Sequence, residues 1–186
     1  MINDLQEKLR KYLNSEERIN HSVRVADLAV ELAKIYKIDE QKAYVAGIFH
    51  DMAKEITFEK AIQITREYNY SLSESELLNN KLLHAPIGAL LAQYELKIDD
   101  KDIIMAIRWH TTGKAEMSIL EKIIYLADIS EPGRKHPELM QIQELAKQNI
   151  NKAMLLAVKF SLKKLIESER SIDPKSVECY NYFTKN

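Results

Sequence analysis

An all-α fold is predicted for this sequence, and two observations carry the prediction. Apolar residues recur at three- and four-residue spacing almost throughout, which is the period of a helix face. Only four glycines and four prolines punctuate 186 residues, few for a chain of many short strands and turns. There is no internal repeat and no low-complexity linker, and the length suffices for one hydrophobic core, so residues 1–186 are expected to form a single-domain helical bundle.

Helices are expected at about 4–13, 16–37, 40–54, 58–68, 74–82, 86–96, 100–111, 119–130, 138–168 and 175–183. The first, within "MINDLQEKLRKYL", mixes charged and apolar residues. The second presents an inward stripe of His21, Val25, Leu28, Leu32 and Ile35, with Arg18 one turn earlier. The third carries Val45, Ala46, Ile48 and Phe49 into His50 and Asp51. The fourth rests on periodicity alone. Ser73 with Glu76, and Ser118 with Glu121, have capping-box spacing at the starts of the fifth and eighth. Pro86 and Pro137 suit the first position of the sixth and ninth. Ile103 and Ile107 lead to His110 in the seventh, and Gly113 and Gly133 suit helix exits because glycine enters the left-handed region without a Cβ penalty. The long helix 138–168 carries Met154, Leu155, Val158, Leu162 and Leu165 and is expected to pack across the bundle. Met105 and Met117 read as core filler.

Charge narrows the function classes. Lys plus Arg number 27 against 28 for Asp plus Glu, a net charge of -1, so no global field recruits nucleic acid or an anionic membrane. Any phosphate binding must be local. The single Cys179 excludes an internal disulfide framework and a cysteine-rich zinc site, and fits a reducing compartment. With no signal-peptide core and no apolar run long enough to span a bilayer, a soluble cytoplasmic protein is expected, with no membrane and no nucleic-acid partner.

Chemistry concentrates in the histidines. His21 and His110 extend inward apolar stripes, His84 stands at a helix entrance before "APIGALL", and His50 adjoins Asp51 directly after an apolar helical stretch. Asp128 lies over Ile124 in the last turn before Pro132, where the carbonyl end of the helix dipole disfavours a carboxylate and calls for a positive partner. Taken singly, a histidine on an apolar face is more often a hydrogen-bonded core residue than a ligand, and an Asp near a helix end pairs with solvent or a lysine. His136, before Pro137, reads as a solvated helix start. Together, four of the five histidines and two carboxylates at such positions form a ligand set for iron, manganese, nickel or zinc. Asp51 can then bridge two ions.

The order His21, His50-Asp51, His84, His110, Asp128 resembles that of the HD-domain metal-dependent phosphohydrolases. More narrowly, "ERINHSVRVADLAVELA", "GIFHDMAKE", "HAPIGA", "IRWHTTGK" and "KIIYLADISEPGRKHP" resemble the YqeK-type symmetrical diadenosine tetraphosphate hydrolases. The likeness runs over most of the chain, with the core motifs between Glu16 and Lys135 and the C-terminal helices completing the bundle and nucleotide pocket. The resemblance implies one or two iron ions, with manganese, nickel, cobalt or zinc as substitutes, and a small dinucleoside polyphosphate substrate. It implies symmetrical cleavage into two ADP, by attack of metal-bound hydroxide on a β-phosphate. His21, His50, Asp51 and Asp128 match the primary metal ligands. His84 and His110 match positions that either complete a second metal site or contact phosphate. Asp51, Asp128, Lys54, His84 and His110 form the implied catalytic set, and Arg18, Lys54 and Arg134 would hold phosphate. The segment "SIDPKSVECYN", with Ile172 and Pro174, resembles the part that closes over the nucleoside; one ADP moiety would then lie between Arg18, Lys54, Arg134 and this segment. Asp173 stands where relatives often have histidine. A monomer or homodimer is expected.

Two rivals remain at this level. One is an HD phosphohydrolase acting on a mononucleotide, a deoxynucleoside triphosphate or a guanosine alarmone, which shares the ligand set but not the flanking motifs. The other is a non-catalytic module with a structural metal, docking a partner or RNA; the near-neutral charge and lack of a basic stripe oppose RNA.

Overall fold

Helix-forming local signals are realised as eleven α-helices in the computed structural model, which describes residues 2–185. In order they are α1 (Ile2–Leu9), α2 (Glu16–Tyr36), α3 (Glu40–Phe49), α4 (Phe58–Glu67), α5 (Glu74–Leu78), α6 (His84–Tyr94), α7 (Lys101–Trp109), α8 (Ile119–Ser130), α9 (Pro137–Gln148), α10 (Ile150–Glu167) and α11 (Pro174–Phe183). A 3₁₀ turn spans Asn80–Leu82. No strand occurs among the described residues, and no helix is long and apolar enough to cross a membrane.

The bundle centre is formed where α2, α3, α7 and α8 pack on one another, with α6 on α7 and α9 and α10 beyond α8. Leu32, Ile48, Phe49, Met52, Ile87, Ile107, Ile123, Ile124 and Leu126 are among its fully buried side chains, each stabilising by about 1.5–3 kcal/mol relative to exposure. Helices α2 and α3 approach closely at Gly47, where an added Cβ would stand 2.7 Å from the Ala26 backbone.

Both capping boxes form, at Ser73/Glu76 and Ser118/Glu121. Pro137 is the first residue of α9, and Gly113 takes φ +64 after α7. Other boundaries differ from expectation for local reasons. The helix expected over 138–168 is two, because Asn149 leaves helical geometry (φ -151, ψ 100) and its side chain caps α10 through the Lys152 N–H at 3.0 Å. Asn79 likewise ends α5 and caps the 3₁₀ turn. Helix α3 stops at Phe49, and tighter bonds from the Met52 and Lys54 N–H groups, to Phe49 and Asp51 carbonyls, turn the chain. Helix α6 begins at His84, so Pro86 sits at its third residue, where the missing N–H still costs no helix bond. Gly133 is absent from the left-handed region; its bareness admits Arg24 and Glu131, which a Cβ would meet at 2.8 Å. Met105 is exposed, whereas Met117 is buried.

Candidate metal centre

Most of the candidate ligands arrive at helix ends, where the backbone has hydrogen-bonding capacity to spare. His50 and His110 follow the last residues of α3 and α7, His84 opens α6, and Asp128 lies in the last turn of α8; His21 comes from the N-terminal half of α2. Three imidazoles share one local device. Nδ1–H of His50, His84 and His110 donates to the carbonyl three residues back, Gly47 at 2.7 Å, Lys81 at 2.8 Å and Ile107 at 2.7 Å. In the neutral imidazoles this fixes the tautomer that leaves Nε2 as a bare lone pair. For His21, Nδ1 faces Glu131 Oε1 at 3.3 Å, and Glu131 is gripped by Arg24 Nε at 2.6 Å and the Gly133 N–H at 2.5 Å. Outer partners of this kind orient metal-ligating imidazoles.

All four Nε2 atoms turn toward Asp51 and Asp128. Asp51 Oδ2 lies 4.0 Å from His21 Nε2 and 3.7 Å from His50 Nε2, while its other oxygen, Oδ1, lies 3.2 Å from His84 Nε2 and 3.4 Å from His110 Nε2. Asp128 Oδ1 is 3.1 Å from His21 Nε2 and 3.7 Å from His50 Nε2. His21–His50–Asp51, His50–His110–Asp128 and Asp51–His84–His110 each offer ligand atoms within 4.8 Å of one another. His50 Nε2 is buried without a hydrogen-bond partner among the described residues, a situation that costs about 1–3 kcal/mol unless something binds it. A mixed imidazole and carboxylate set of this kind fits a divalent metal.

Two carboxylates held ionised suit that cargo. Burial pushes the Asp51 carboxyl up, but the neighbouring His50, His110 and His84 outweigh it and hold it well below the usual range. Burial also acts on Asp128, and His21 and His50 bring it equally to the low side. Burial lowers His50, yet the two carboxylates reverse the balance and leave it raised. His84 is pushed down to about 4, by burial first, against the pull of Asp51 and with the help of Lys54.

Around this centre stand the cations expected to hold phosphate. Lys54 Nζ lies 3.1 Å from Asp51 Oδ1 and 3.0 Å from His84 Nε2, Arg134 Nη2 lies 3.1 Å from Asp128 Oδ1, and Arg18 Nε lies 3.4 Å from Glu55 Oε1. Asp128 thus has the positive partners its helix end calls for. Arg18, Lys54 and Arg134 line one polar cleft of about 540 Å³ together with His21, Asp51 and Asp128. Pro174 is elsewhere. It lines a second cleft of about 350 Å³ with Arg108, Trp109 and Thr112, and Ile172 is half-buried in the same segment. The expected single pocket is therefore divided between two clefts. They are linked through the turn after α7: Thr111 Oγ1 is 3.1 Å from both His84 Nε2 and His110 Nε2, and the Ser176 hydroxyl donates to Thr112 O at 3.0 Å. Asp173 is buried and structural, accepting from the Lys175 N–H at 2.7 Å and the Ser75 hydroxyl at 2.5 Å.

Glu131, Arg24 and Thr111 belong to the site although their residue types alone did not single them out. Their signal is spacing: Arg24 lies one turn beyond His21, Glu131 one turn beyond Asp128, and Thr111 adjoins His110.

An all-α bundle that gathers four imidazoles and two carboxylates at one buried point defines a metal-binding protein of the His/Asp class. Residues 18–133 match the family described as HD domain. A symmetrical bis(5'-nucleosyl)-tetraphosphatase of Halalkalibacterium halodurans is 39% identical over 169 residues, 90% of this chain and 89% of the relative. A protein of the same name from Staphylococcus aureus is 36% identical over 180 residues, 95% of this chain and 91% of the relative. Among solved structures, one from Clostridium acetobutylicum, described as a predicted HD superfamily hydrolase involved in NAD metabolism, superposes with a TM-score of 0.94 at 38% identity, covering 100% of this chain and 97% of the other. The chain belongs to the HD domain family and, within it, to the symmetrical bis(5'-nucleosyl)-tetraphosphatases.

Proposed function

We propose that this hydrolase cleaves diadenosine tetraphosphate at its central anhydride, releasing two ADP, with iron as its metal and the cytoplasm as its compartment. The observation that carries the reading is the division of Asp51: Oδ2 serves His21 and His50, and Oδ1 serves His84 and His110. His21, His50, Asp51 and Asp128 would hold one divalent ion and Asp51, His84 and His110 a second. Bound there, such ions would polarise phosphoryl oxygens and acidify water at neutral pH. The cytoplasmic assignment is supported by the one cysteine, Cys179, reduced and buried.

The protein's own groups do the remaining work. Arg134, Lys54 and Arg18 fit the phosphoryl oxygens of a polyphosphate in the polar cleft, each able to trade its carboxylate partner for phosphate. They stabilise charge that grows on those oxygens as the anhydride breaks. Water adds to the β-phosphorus of one half, the bridging oxygen leaves with the other, and each half departs as ADP. Anaerobic purification with metal analysis, followed by chromatography of early products, tests cofactor and reaction together. Equal AMP and ATP from the first minutes would overturn the symmetrical cut, and oxygen-18 water should label a β-phosphate oxygen of one ADP per cleavage.

A further inference from the structure

A third cleft, of about 500 Å³, adjoins the metal centre and shares Arg18 and Lys54 with the polar cleft. His84 also lines it, so its inner end touches the ligand set. Away from that end its character changes: Ile56, Phe58, Leu83 and Ile87 supply apolar walls. Asn80 is exposed on its lining, and its side chain makes no hydrogen bond among the described residues. The charged side chains lining it are all cations, and no carboxylate is among them.

This composition suits one kind of occupant. A cut at the middle of a symmetrical dinucleotide sends a phosphate arm and a nucleoside away from the metal centre on either side. On that reading the cleft bordered by Trp109 and Pro174, tied to His110 through Thr111 and Thr112, takes one nucleoside. The other half needs cations beside the metals and then an apolar, aromatic space without anionic groups. The third cleft offers that sequence of surfaces in that order, within the volume range of small-molecule sites, about 300–1,000 Å³. Resting on the symmetrical reading, we infer that this cleft is the subsite for the second nucleoside. Phe58, positioned at the start of α4 by the Thr57 cap, is the stacking platform for the base. The free carboxamide of Asn80 supplies one donor and one acceptor, the pair that matches N7 and N6 of adenine.

A diadenosine tetraphosphate whose central bridging oxygen is replaced by methylene cannot be cut there, so calorimetric titration of the metal-loaded protein with it reads binding without turnover. Phe58→Ala and Asn80→Ala should each weaken it about tenfold, Phe58→Tyr should restore it, and ADP alone should bind as to wild type by using the Trp109–Pro174 cleft. Unchanged affinity for the bridged dinucleotide in both alanine variants overturns the subsite, while ADP release by the wild type would leave the symmetrical reading standing. Equal loss of dinucleotide and ADP binding overturns it as well, since the damage then lies in the shared centre. Failure of the wild type to form ADP removes the symmetrical reading and the subsite with it.

Discussion

The candidate metal ligands and the cations proposed to hold phosphate sit side by side but are held in opposite ways. Side chains of His50 and His110 are fully buried and that of Asp51 is 8% exposed, whereas Arg18, Lys54 and Arg134 are 44%, 34% and 42% exposed. Each buried imidazole is locked by its own backbone. Each cation is held by carboxylates that phosphate can replace. A group that must receive a compact ion in fixed geometry is preorganised, and a group that must release one anion to take another is left mobile at the cleft edge.

The largest break in this contrast should come from Asp51→Ala, which removes the carboxylate common to both ligand groups. The variant should fold, as judged by circular dichroism, yet lose bound metal and nearly all turnover; full metal content with wild-type activity would dissolve the contrast. Lys54→Ala and Arg134→Ala come next. Both should keep their metal and lose about 2–4 kcal/mol of transition-state stabilisation, read as kcat/KM. Metal loss in either would move that residue into the buried class. Glu131→Gln should be milder, weakening metal affinity about 10–100-fold, because it loosens the support of His21 without removing a ligand.

The smallest effect concerns pH. Metal capture needs neutral imidazoles, and the raised His50 makes protons compete with the metal as pH falls below its pKa, whereas His84 stays neutral until about 4. Asp51 and Asp128, held low, do not compete in that window. Affinity should therefore fall as pH drops below the raised His50 pKa, with His50 giving up its proton when the ion binds. Calorimetry in buffers of different ionisation enthalpy counts that proton, and a pH-independent affinity would contradict the arrangement.

How much of this was legible from sequence follows the same division. The stripe of α2, inward from His21 to Leu32 although Ile35 at its end is exposed, and the apolar approach to His50 and Asp51 are patterns of period 3.6, and they aim ligands inward without knowledge of the fold. Glu131 is only weakly legible in that way, since its place one turn beyond Asp128 does not say that a glutamate before Pro132 is buried and paired with Arg24, 107 positions away. Asn149 escaped because the apolar pattern continues on both sides of it and neither glycine nor proline marks the break. The separation of Pro174 from Arg134 is tertiary: it depends on Asp173 tying the C-terminal segment to Ser75, a contact spanning 98 residues.

Gly47 sets the gauge between two ligand-bearing helices. By helix propensity it is the weakest residue type, short of proline, to place inside α3, and alanine there would ordinarily gain about 1 kcal/mol. Yet the space for its missing methyl is filled by the Ala26 backbone, one turn past the His21 region of α2, and its carbonyl anchors His50. A thermostabilisation campaign that replaced helical glycines by rule would wedge His21 away from His50, so the position where conventional engineering expects a gain is one where helix packing and the metal centre would be strained together.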